Sequence, residues 1–174
     1  MLKIEDKIIA LLSDYPAKEF YGQEIAKKIT CSKASASAVL KLLVEKKIVY
    51  KTVKGHMKFY SINQASIDVK KFKIDHALEK LKVVVLKLKN DSRKIILFGS
   101  ASRGEQTFDS DIDLLVLTNN REKLQSELKK INSKLKIRAI VKNQSEWSEM
   151  EIKDPVFYSE VNKGIILYEY VQRI

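Results

Sequence analysis

Ile4, Ile8, Ile9, Leu11 and Leu12 fall at helical spacing with charges between them, which predicts an amphipathic helix over residues 3–13. Ser13-Asp14-Tyr15-Pro16 ends it, because proline disfavours helix in its predecessor. Ile25, Ala26 and Ile29 mark a second helix over 21–29. After Thr30-Cys31-Ser32, with Ser32 as N-cap, a third helix over 33–46 buries Ala36, Val39, Leu40, Leu43 and Val44. Two β-prone runs, 48–53 and 57–62, flank Lys54-Gly55-His56, the mark of a hairpin. Ile74, Leu78, Leu81, Val85 and Leu88 form a heptad-like stripe along a long helix over 66–90.

The pattern then changes. Ile95-Ile96-Leu97-Phe98 and Leu114-Leu115-Val116-Leu117 read as buried strands. A helix over 121–134, a strand over 136–141, a short helix from Pro155 to Lys163 and an apolar ending over 164–170 complete the chain. Strands alternating with helices predict an α+β fold with a small mixed sheet in this half. The expected organisation is a first domain at 1–65, a linking helix at 66–92 and a second domain at 93–174.

Composition refines this picture. At 174 residues with 45% hydrophobic content the chain can bury a core, and its five glycines and two prolines favour long helices over turn-rich β structure. A single cysteine, Cys31, excludes an internal disulfide framework. No apolar run approaches the roughly 18 residues that span a bilayer, and the first residues lack a signal peptide's apolar segment. No membrane association and a cytoplasmic location are expected. The net charge of +11 is unevenly placed. Residues 1–92 hold 19 basic and 10 acidic side chains, against 14 and 12 in 93–174, and the first half has no arginine. That asymmetry points to a polyanion partner for the first half, or else to solvated lysine-rich helices.

The candidate chemistry sits in one stretch. Gly99-Ser100 follows the first buried strand, Arg103-Gly104 comes next, and Ser110-Asp111-Ile112-Asp113-Leu114 opens the second strand. A strand-end glycine lets backbone approach a ligand, and the Ser100 hydroxyl with nearby amides can hold phosphate oxygens. Asp111 and Asp113, two apart, share one face of a strand and suit a hard cation such as Mg²⁺. This arrangement resembles the signature of the nucleotidyltransferase superfamily typified by DNA polymerase beta, especially its minimal branch. Gly164-Ile-Ile-Leu-Tyr168 resembles the ending of such domains. The resemblance implies transfer of a nucleoside monophosphate from a nucleoside triphosphate such as ATP to a hydroxyl. It makes Asp111 and Asp113 the catalytic metal ligands, and Gly99, Ser100 and Arg103 the nucleotide-binding residues. The family's third carboxylate belongs on the next strand, where this chain has Arg138.

Three helices and a hairpin is the order of a winged helix-turn-helix, and residues 25–49 resemble the recognition segment of prokaryotic winged-helix regulators. Lys47 stands where those regulators usually carry glycine. The resemblance implies DNA contacts from Lys33, Ser35, Ser37 and Lys41 on the third helix and from Lys51, Lys54 and Lys58 on the wing, in a chain that can act as a homodimer. Two functions therefore stay open. One is a DNA-binding regulator whose second domain binds Mg-nucleotide with weak or lost catalysis. The other is an active nucleotidyltransferase, including a toxin–antitoxin component.

Overall fold

The computed structural model describes residues 3–132 and 135–171, in an α+β fold of two compact units. Residues up to Lys73, together with 105–109, make the first unit; residues 74–104 and from 110 onward make the second.

In the first unit, helices α1 (Ile4–Asp14), α2 (Gly22–Lys28) and α3 (Lys33–Glu45) are followed by strands β2 (Val49–Lys54) and β3 (Met57–Ile62). A two-residue strand, β1 (Phe20–Tyr21), pairs antiparallel with β3 and gives the sheet order β1-β3-β2. Ile8, Leu12, Phe20, Ile25, Leu40, Leu43, Tyr60 and Ile62 close the core of a winged helix-turn-helix. Strand β1 was not foreseen, since Phe20-Tyr21 gives too short a run to show a period. The hairpin forms as expected, with Gly55 at φ +60 in the first turn position, where a type II′ turn takes glycine.

Both helices of the helix-turn-helix end in the same way. Lys47 stands at φ +57; its N–H donates to Val44 O (3.0 Å) and that of Ile48 to Leu43 O (3.0 Å). Thr30 stands at φ +57; its N–H donates to Lys27 O (3.3 Å) and that of Cys31 to Ala26 O (3.0 Å). These are Schellman closures built without glycine. A Cβ in this region is strained, most of all in β-branched threonine. Thr30→Gly and Lys47→Gly are each expected to raise stability by about 0.5–1 kcal/mol, relief of strain outweighing the added freedom of the unfolded chain. Urea unfolding followed by circular dichroism checks this, and a lowered midpoint would contradict the strain assignment.

Helix α4 (Ile67–Leu88) begins in the first unit, where Val69 joins the core, and continues in the second. The heptad-like stripe is widened: Leu81 and Leu88 are buried, Leu78 and Val85 pack half-buried on the same cluster, and Ala77 and Val84 join the buried line. That broader stripe serves packing on a sheet rather than a coiled-coil seam.

The second unit then runs β4 (Lys94–Phe98), α5 (Gly99–Ser102), β5 (Ile112–Leu117), α6 (Arg121–Asn132), β6 (Ile137–Lys142), α7 (Gln144–Lys153), α8 (Pro155–Asn162) and β7 (Ile165–Glu169). The last two positions of the helix expected over 121–134 lie outside the described residues. The sheet order is β6-β5-β4-β7, with β5 and β6 parallel and the other pairs antiparallel. Ile95, Leu97, Leu114 and Val116 pack toward α4 and α6, while Ile96, Phe98, Leu115 and Leu117 pack with Trp147 of α7 and Val161 of α8. Both faces are covered, which is why the two central strands are continuous apolar runs.

Candidate functional site

Strand alternation decides which polar groups share a face. Asp113 is in register with Phe98 on one side and Arg138 on the other. All three therefore belong to the face that carries Leu115, Leu117 and α8. Asp113 is buried, whereas Asp111 lies just before β5 and is exposed. The two carboxylates of the motif thus sit in different environments.

Gly99 shows why this strand ends as it does. Its φ is +68, and a Cβ placed there would lie 2.4 Å from Asp113 Oδ2. Only glycine lets the backbone turn into α5 with the carboxylate against it. Ser100 follows, half-buried in the first turn of α5, and Gly104, at φ +68, ends the short segment. Residues 105–109 belong to the first unit, where Phe108 stacks on Tyr15 at 5.7 Å.

Arg138 Nε donates to Asp113 Oδ1 at 2.6 Å. This hydrogen bond, and the charge of the same carboxylate, hold the guanidinium pKa above its ordinary value, with further help from Asp111 and Glu160. Glu160, on α8, also meets Arg103, whose Nη1 donates to its Oε1 at 3.3 Å. Glu105 lies 3.9 Å from Lys70 Nζ. Glu160 is the functional-site residue that sequence reasoning missed. Its signal was faint: it stands three residues after Phe157 and one before the buried Val161, so it borders the packed face of its helix.

These contacts bear on the metal. A hard divalent cation needs several free carboxylate or carbonyl oxygens around one point. Here one oxygen of Asp113 is bound to a guanidinium and the other lies against Gly99. Among the described residues, no three acidic, histidine or cysteine side chains come together as a metal site. Glu146 is engaged with Arg121 (2.5 Å) and caps Asn143, while Glu149 pairs with Lys153 (2.6 Å), so neither replaces the missing carboxylate. The side chains present do not fit the metal-dependent arrangement.

The first unit presents the expected basic face in part. Lys33, Ser37 and Lys41 are exposed on α3. Ser35 is half-buried; its N–H donates to the capping Ser32 Oγ at 3.0 Å and its hydroxyl lies 2.8 Å from the same atom. On the wing, the register puts Lys51 and Lys58 on the face that carries Tyr60 and Ile62. Lys54 falls on the opposite face, where it forms an ion pair with Glu19 and lies 5.3 Å over the Phe59 ring. The three wing lysines therefore do not share one face.

Among the described residues, no helix is long and apolar enough to cross a membrane. No curated protein matches the sequence. Solved structures are similar to the chain at low identity. MepR, a transcription regulator of the Staphylococcus aureus multidrug efflux pump MepA, is 17% identical, with 76% of this chain and 78% of that one covered and a TM-score of 0.43. The adhesin competence repressor of Streptococcus pyogenes is 19% identical over 53% of this chain and 69% of its own, with a TM-score of 0.39. A Sulfolobus solfataricus protein described as a nucleotidyltransferase is 17% identical, with 64% of this chain and all of that one covered and a TM-score of 0.43. The family model for polymerase beta nucleotidyltransferases matches residues 79–173, beginning inside α4 and running through every strand of the second sheet. That match takes in more than half of the sequence, and on it the chain belongs to the polymerase beta nucleotidyltransferase family.

Proposed function

We propose that this protein is a DNA-binding transcription regulator whose second unit keeps the nucleotidyltransferase fold without its transfer reaction. The observation that carries the second clause is Arg138, in register beside Asp113 and bonded to it at 2.6 Å. A cation in that place disfavours the closely spaced divalent ions that phosphoryl-transfer sites use to hold attacking and leaving oxygens. Asp113, Asp111 and Glu160 all act on the Arg138 guanidinium, and Arg103 pairs with Glu160.

The first clause rests on the winged helix and its lysines. Lys33 and Lys41 on α3, with Lys51 and Lys58 on one face of the wing, supply phosphate contacts that position the protein without reading bases. With no arginine before Arg93, the commonest guanine contact is missing from this unit, and discrimination falls to Ser37 and DNA shape.

Fluorescence anisotropy with a labelled duplex at several salt concentrations tests the reading. Four lysine–phosphate contacts predict a log–log salt slope of about −3.6, flattened by about 1.8 units in a Lys51→Gln/Lys58→Gln variant. Incubation with Mg²⁺ and each nucleoside triphosphate is expected to release no pyrophosphate. Absence of duplex binding at low salt would remove the regulator reading. Pyrophosphate release that vanishes in Asp113→Asn would favour the active enzyme instead.

A further inference from the structure

We propose that the Arg138 guanidinium is a built-in replacement for a divalent ion, filling the cation position among the carboxylates so that the cleft is closed to metals. The inference rests on the proposed loss of transfer chemistry and names its physical cause. Four observations place the guanidinium in that role. The parallel pairing of β5 and β6 fixes Arg138 directly beside Asp113, so the contact follows from strand register rather than from a chance rotamer. The carboxylate it holds is buried, while the arginine side chain is about two-thirds exposed (66%), so its charge reaches the cleft from the solvent side. Asp111, just before β5, and Glu160, on α8, add to the pull of Asp113 on the same guanidinium, which Asp113 bonds directly. Finally, Arg103 pairs with Glu160, which ties the third carboxylate to a second guanidinium.

Such an arrangement has the charge pattern of a metal centre with a side chain in place of the ion. An incoming divalent cation would have to displace a bonded arginine and then share the site with its charge. The guanidinium does not dissociate and does not depend on metal supply. Any contact this cleft makes is therefore insensitive to chelators.

The test is titration of Mn²⁺ into the full-length chain, with free Mn²⁺ read by electron paramagnetic resonance. The wild type is expected to show no saturable site below about 1 mM, and no difference from Asp113→Asn. Arg138→Asp is expected to bind at least about tenfold more tightly than the wild type, and to lose that gain when Asp113→Asn is added. Arg138→Gln removes the charge with little change in size; it is expected to bind between the two and stands in if the aspartate variant fails to fold. Trp147 fluorescence confirms the fold of each variant. Wild-type Mn²⁺ binding that disappears in Asp113→Asn would overturn the inference. So would folded Arg138 variants no tighter than wild type. A wild type that binds Mn²⁺ through Asp113 yet releases no pyrophosphate would sink this inference while leaving the proposed function standing.

Discussion

Gly164→Ala is expected to unfold the second unit at a temperature lower by on the order of 10 °C, the equivalent of about 2 kcal/mol in a domain of this size. The chain leaves α8 at Asn162 and enters β7 at Ile165, with no room for a longer connection. The Gly164 N–H donates to Val161 O at 2.9 Å, which turns the backbone sharply onto β4. A Cβ at this position would stand 2.4 Å from Leu97 O, 2.8 Å from Ile96 Cγ2 and 2.9 Å from Val161 O. Two of those three neighbours are backbone atoms, so they cannot rotate aside. Relief requires moving β7 away from β4, at the Leu97–Ile165 pairing. Trp147 is the chain's single tryptophan and is buried on the α7/α8 face of the same sheet, so its fluorescence reports this unit alone. A melt by that signal within about 1 °C of wild type would show that β7 does not approach β4 as described.

Gly164 was noticed in the sequence only as the head of a family-like ending; its physical role needed the strand it presses against. The same division runs through the molecule. Central strands β4 and β5 were legible because both their faces are buried, which leaves an unbroken apolar run that little else in a short chain explains. Of the two Schellman closures only the one at Lys47 was legible, as a place where glycine is usual; Thr30 read only as part of a turn, its positive φ unseen. The site was half legible. Gly99, Asp113 and Arg138 could be placed by spacing, because strand register converts sequence separation into neighbours. Glu160 could not, because it arrives from a helix whose angle to the sheet is set by aromatic packing rather than by hydrogen-bond register.

Helix α7 was missed for a related reason, and it carries the second large effect. Its sequence, Gln144-Ser-Glu-Trp-Ser-Glu-Met-Glu-Ile-Lys153, offers a thin stripe: Trp147 is buried, Met150 half-buried and Ile152 87% exposed. The clearest start signal was polar, a capping box in which the Asn143 side chain accepts from Glu146 N–H and the Glu146 side chain accepts from Asn143 N–H. Burial thus rests largely on one side chain. Trp147 packs with Ile96, Phe98, Leu115, Leu117 and Val161, and its ring lies 4.8 Å from that of Tyr158 and 6.2 Å from that of Phe157. Trp147→Ala is therefore expected to cost about 3–5 kcal/mol, the range for deleting a large buried aromatic.

The loss should not spread evenly. Strands β4 and β5 keep their α4/α6 face, which contains no Trp147 contact, whereas α7 and α8 lose the ring that joins them. Native-state hydrogen exchange is expected to accelerate across 144–162 by about two to three orders of magnitude, at about 1.4 kcal/mol per tenfold, with smaller changes at 94–98 and 112–117. Because α8 carries Glu160, the same variant should loosen the Arg103–Glu160 pair while leaving Arg138 on Asp113, whose register comes from strands alone. Trp147→Phe, which keeps an aromatic ring in the cluster, should recover much of the protection. Uniform acceleration over the whole second unit would instead mean that the two helical layers unfold as one, and that α7 is no separate latch on the sheet.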